Sequence, residues 1–169
     1  SASLEIFISG ALKDFSEFDL YLNAPYVSFI DVNNDEQPLV FRLSKAELTV
    51  RDDGAWQALS RQIPSDFNDP ISAGMNISDL LKENVFGGDT SDEVGEFLAS
   101  VERTWNSFLK NPQQITLETG ILPSGGLNIN FDEYDLDPFK AFTDLRPTVS
   151  TKSLLSTSLV EQSALRQIL

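Results

Sequence analysis

The chain contains no cysteine and no histidine. Without cysteine there is no disulfide, no thiolate nucleophile and no cysteine-based metal site. Its absence fits a reducing and an oxidising compartment equally. Without histidine the chain lacks the commonest general base, the usual proton shuttle and the commonest metal ligand. Positive charge is scarce too. Twelve Lys and Arg face 26 Asp and Glu, a net charge of −14, and the basic residues stand singly from Lys13 to Arg166. A nucleic-acid binder neutralises phosphates with a basic stripe, and an anionic membrane surface attracts a basic patch. This chain has neither. No run approaches the ~18 apolar residues of a membrane-spanning helix. No signal-peptide pattern is present. The start Ser1-Ala2-Ser3 runs straight into an apolar alternation without an initiator Met, as expected of a processed or truncated chain whose targeting signal or anchor lies upstream.

What is present is globular. Hydrophobic residues make up 41% and charged residues 22% of 169, a length that suits one domain with its own core. The expectation is a single α+β domain over residues 1–151, with residues 152–169 a C-terminal helix or partly ordered tail. Leu4 to Ser9 and Phe18 to Ala24 alternate as strands. Pro25 interrupts, and Tyr26 to Val32 resumes the pattern. From Leu39 to Arg51 the apolar phase flips at Ser44-Lys45, which predicts one long strand with a bulge or bend. A short helix is predicted over Ala55 to Ile63 and a second over Ile71 to Val85, the latter with Ile77, Leu80, Leu81 and Val85 on one face. Thr90 with Glu93 forms a capping-box pattern ahead of a helix from Ser91 to Lys110. Its stripe (Val94, Phe97, Leu98, Val101, Trp105, Phe108, Leu109) needs a broad apolar partner. Ile115 to Ile121 and Leu127 to Phe131, flanking Pro123-Ser124-Gly125-Gly126, predict a hairpin. Asp137-Pro138 opens a helix to Leu145, and Pro147 to Thr151 is a further strand. Strands at both ends and helices between them imply a curved antiparallel sheet with helices packed on one face.

No motif with chemistry survives inspection. Asp31-Val32-Asn33-Asn34-Asp35 starts like a calcium loop, but Glu36 stands where Gly is needed and Arg42 where a bidentate Glu is needed. A turn is the better reading. Asp132, Glu133, Asp135 and Asp137 could pair for glycoside hydrolysis or hold a cation. As an alternating run they spread over both faces, which favours a solvated turn. Ser107-Phe108-Leu109-Lys110 is formally Ser-x-x-Lys, but it sits at a helix end without its companion motifs. Asn76-Ile77-Ser78 is a glycosylation sequon inside a predicted helix. No catalytic, cofactor-binding or metal-ligating residue is assigned, and no cofactor is implied. The 12 Phe, 3 Tyr and 2 Trp suit a packed core or a Phe-lined pocket for an apolar ligand.

One pattern resembles a known group. Ala46-Glu-Leu-Thr-Val-Arg-Asp-Asp-Gly54 followed by a short helix to Ile63, and a long helix ending Phe108-Leu109-Lys110-Asn111-Pro112 before Ile115-Thr116-Leu117, are similar to uncharacterised alphaproteobacterial envelope proteins. That domain-of-unknown-function family is AsmA-like in style. The likeness covers Leu39 to Leu145 and departs at Leu122-Pro123-Ser124-Gly125-Gly126, where a more apolar stretch is expected. It implies a periplasmic location, a curved sheet, and envelope proteins or lipid as partners, and it brings no catalytic residues. The expected function is a non-enzymatic envelope interaction or scaffold domain; the alternative is a lipid or acyl-chain binding module with a concave apolar sheet. A hydrolase using Asp or Glu alone would need two carboxylates in one cleft with separated pKa values.

Overall fold

The computed structural model describes residues 2–28, 40–89 and 91–151. Seven strands form one antiparallel sheet curled into a half-barrel, with helices on one face. They are β1 (Ala2–Leu12), β2 (Ser16–Ser28), β3 (Val40–Leu43), β4 (Lys45–Asp52), β5 (Gln114–Glu118), β6 (Leu127–Ile129) and β7 (Thr148–Ser150). Paired residues share a face. The registers therefore put Ile6 and Ile8 beside Leu22 and Leu20, then Ala46 and Leu48, then Leu117 and Val149. The opposite face is polar. There Arg51 reaches Glu17 at 3.2 Å and Asp19 at 2.7 Å, and the Thr49 and Thr116 hydroxyls meet at 3.0 Å. The guanidinium of Arg51, with the Ser9 hydroxyl behind it, holds the Asp19 carboxyl below its ordinary value.

The bend predicted at Ser44-Lys45 is present, and it contains no inserted residue. Asn23 pairs with Lys45 and Tyr26 with Arg42, three steps on each strand. Ser44 closes the bend by donating its N–H to the Asn23 carbonyl and its hydroxyl to Asn23 Oδ1, both at 2.9 Å. The apolar phase changes in β2 at the same level, from Ala24 to Val27, and both are buried together with Leu43. Pro25 does not interrupt β2 as predicted. Three steps of β2, Ala24 to Val27, face two steps of β1, so the proline sits in a bulge where its missing N–H is tolerated. The predicted continuation to Val32 and the Asp31–Asp35 loop lie outside the described residues.

The predicted hairpin of residues 115–121 with 127–131 does not form. β5 lies between β4 and β7, while β6 pairs with β3. Both edges of β5 are occupied, and Leu127 to Ile129 find the free edge of β3 instead. β5 and β6 thus run end to end along the long bent strand, and residues 119–126 make an excursion between them. Gly126, at φ 95°, allows the return: a Cβ there would meet the Arg42 Cβ at 2.9 Å. Phe131 does not extend the strand either. It opens α4 (Phe131–Leu136), capped by Asn130, whose side chain accepts the Glu133 N–H at 3.2 Å.

The other helices are α1 (Ala55–Leu59), α2 (Ala73–Asn84), α3 (Asp92–Lys110) and α5 (Pro138–Leu145). A 3₁₀ turn over Ser60–Gln62 follows α1, so only half of the predicted 55–63 helix is α. α2 is shorter than the predicted 71–85 helix, and Leu80 and Val85 stand exposed rather than buried. Its buried residues are Ala73 and Gly74, which press against α3. Thr90 lies outside the described residues. The N-cap of α3 is Ser91, which accepts the Val94 N–H, with Asp92 and Glu93 in the first turn where the helix dipole favours them. α5 begins as predicted, with Asp137 accepting the Phe139 N–H at 3.2 Å.

Candidate functional site

The apolar stripe of α3 meets two different surroundings. At its N-terminal half, Val94 and Leu98 pack with Phe86 in a core cluster, flanked by Leu81, Phe97 and Phe142. The Phe86, Phe97 and Phe142 rings lie 5.1 to 5.9 Å apart, within the favourable range for aromatic pairs. At its C-terminal half, Trp105 stacks on Phe108 at 5.6 Å, and Trp56 of α1 meets both edge-on at 5.7 and 5.4 Å. Trp105 donates its indole N–H to the Phe67 carbonyl at 2.8 Å. The Trp56 amide donates to Asp52 Oδ1 at 2.8 Å.

Between these clusters α3 closes the edge of the sheet with two polar residues. The buried Ser100 accepts the Val149 N–H at 3.0 Å, and the buried Thr104 donates its hydroxyl to the Val149 carbonyl at 3.0 Å. Both backbone groups of an outer-strand residue are satisfied by a helix. A search for apolar periodicity passes over Ser100 and Thr104 because they are polar; their inward direction follows only once β7 is placed.

Two cavities lie between the helices and the apolar face. One, of about 530 Å³, is walled by Leu81, Val85, Phe86, Phe97, Phe139 and Phe142, with Leu117 of the sheet opposite. The other, of about 230 Å³, lies among Val50, Trp56, Leu59, Trp105, Phe108 and Ile115. Ile115 and Leu117 are two residues apart on one face of β5, roughly 7 Å along the strand. On α3, Phe97 and Phe108 are about 16 Å apart. The two hollows therefore follow the same helix and strand. Leu117 is 41% exposed, whereas Thr116 on the polar face of the same strand is 8% exposed. At this point of β5 the apolar side is more open than the polar side.

The residues singled out in the sequence do not converge. Ser107 lies near the end of α3 and Lys110 is its last residue. Asn76 sits in the first turns of α2 and donates to the Asp66 carbonyl at 2.7 Å. Asp132 and Glu133 occupy the first turn of α4, and Asp137 caps α5. Among the described residues no group of three acidic side chains could hold a metal ion, and no helix is long and apolar enough to cross a membrane. A cleft near Pro123 carries two carboxylates, Glu93 and Asp144. Glu93 is engaged by Arg146 at 3.5 Å, and Asp144 by Tyr134 at 2.9 Å and Lys140 at 3.4 Å. Comparison with family models, curated proteins and solved structures finds no match.

The Tyr134 phenol ties α4 to α5. Burial, then its hydrogen bond to Asp144, pushes its pKa up from 10.0 to about 12. In that window the folded chain binds more protons than the unfolded one, so stability falls as pH rises from 10 to 12; below it the contribution is complete. Tyr134→Phe is expected to flatten this alkaline fall in urea unfolding. Parallel pH profiles for the two proteins would refute the assignment.

Proposed function

We propose that this chain is a non-catalytic binding module for a single acyl chain, held between α3 and the apolar face of the sheet. The openness of Leu117 carries this reading. Apolar surface left against water costs about 25 cal/mol per Å²; protein interiors hold few voids larger than a water molecule, and a well-formed apolar cleft is the usual form of a ligand site. The walls of the larger cavity are Leu, Val, Phe and Pro. They offer shape and apolar contact without side-chain hydrogen bonds, which suits a hydrocarbon chain better than a polar small molecule. Its volume falls in the ordinary ligand range of ~300–1,000 Å³. A place in the bacterial envelope, with lipid or envelope proteins as partners, is supported by the resemblance at Ala46–Ile63 and Phe108–Leu117.

Native mass spectrometry of the chain purified from several hosts is expected to show lipid adducts. Palmitate is expected to change the emission of Trp56 and Trp105, the only two tryptophans. Leu117→Asp places a charge in the cavity at an exposed position and should weaken palmitate binding by about tenfold or more while the chain stays folded. Only the bare polypeptide mass from every host, with no response to palmitate, would remove the reading.

A further inference from the structure

The sheet ends differently on its two sides. β7 is closed by Ser100 and Thr104 of α3. β1 pairs only with β2, and among the described residues nothing pairs with its outer edge. That edge is 11 residues long with nine of them exposed, an open row of backbone donors and acceptors roughly 35 Å long. Natural proteins block such edges with lysine, proline or inward-pointing charge. Ala2–Leu12 contains none of these, and its one charged residue is Glu5 on the polar face. In a chain of net charge −14, it is a long strand edge almost free of charge.

We infer that the edge of β1 pairs with the same edge of a second copy of this chain, antiparallel and centred on Phe7. This register engages all eleven residues; a shift by one residue in either direction loses contacts at the ends. It sets Glu5 opposite Ser9 of the second copy, so no carboxylate faces another, and Ile6 opposite Ile8. Odd positions meet odd positions, so the apolar faces of the two sheets stay on the same side and become continuous. Phe7, 74% exposed, meets its counterpart on the two-fold axis beside Tyr21, on which it already packs at 4.8 Å. A row of backbone donors and acceptors this long is satisfied throughout by another strand, and this strand's own sequence satisfies the register. The inference stands apart from the acyl-chain reading.

The absence of cysteine makes the test specific. Phe7→Cys sets two thiols opposite each other at a spacing a disulfide can bridge, whereas Glu5→Cys sets them four residues out of step, about 13 Å apart. Phe7→Cys is expected to form covalent dimers at least about tenfold faster under mild oxidation. Sedimentation equilibrium of the unsubstituted chain should show a dimer whose fraction rises with salt, because screening relieves the repulsion between two acidic bodies. Equal cross-linking of the two variants, or a monomer at both low and high salt, overturns the inference.

Discussion

Gly74→Ala is expected to destabilise the protein by about 3 kcal/mol, the upper end of the usual overpacking cost. The sign is opposite to that of an ordinary helix position, where replacing Gly by Ala stabilises by about 0.5–1 kcal/mol. Gly74 is where α2 crosses α3. A Cβ there would stand 2.2 Å from the Glu102 carbonyl oxygen and 2.8 Å from the Asn106 side chain. The first is backbone of the facing helix, so relief requires the helices to part. Parting them stretches the bond from the Gly74 N–H to Asn106 Oδ1, now 2.8 Å, and loosens Ala73, which is completely buried. For a chain of this size the melting temperature should fall by roughly 6–12 °C. A variant as stable as the parent would show that the two helices do not approach so closely.

Leu98→Ala should cost about 2–5 kcal/mol, the range for truncating a buried leucine side chain. Leu98 is 7% exposed and packs with Val94 and Phe86. The cost belongs near the top of the range if the ring cluster of Phe97 and Phe142 cannot collapse into the space. These rings already border an open cavity, so relaxation toward Leu98 would enlarge that hollow rather than remove it. Urea unfolding with an unchanged slope and a lower midpoint would be the expected signature. A loss well below 1 kcal/mol would mean the Phe86–Val94–Leu98 cluster is not the chief support of α3.

The parts of the fold legible in sequence were those governed by local rules. The Asp137-Pro138 start of α5, the long α3 stripe and the phase flip at Ser44 all depend on neighbours within a few residues. The hairpin after β5 failed because turn chemistry at Pro123–Gly126 says only that the chain reverses. It does not say which edge is vacant, and β7 had already taken the outer side of β5. Phe131 was misread for a related reason: Asn128 and Asn130 alternate like strand residues, while Asn130 is a helix cap. The hollow face was half visible. The abundance of phenylalanine pointed to a core or a pocket, and both exist, three rings in common. Their division depends on how far α3 stands from β5, a distance no periodicity encodes.

The closure of β7 by Ser100 and Thr104 bears on how far assembly can proceed. A sheet with two open long edges can add copies without limit and grow into a filament. Here the three-residue edge at β7 is sealed at Val149 by the protein's own helix, and a two-fold contact through β1 consumes the one long edge among the described residues. The opposite open stretch, at β6, spans three residues. Association through β1 is therefore self-terminating at two copies, as an isologous contact is.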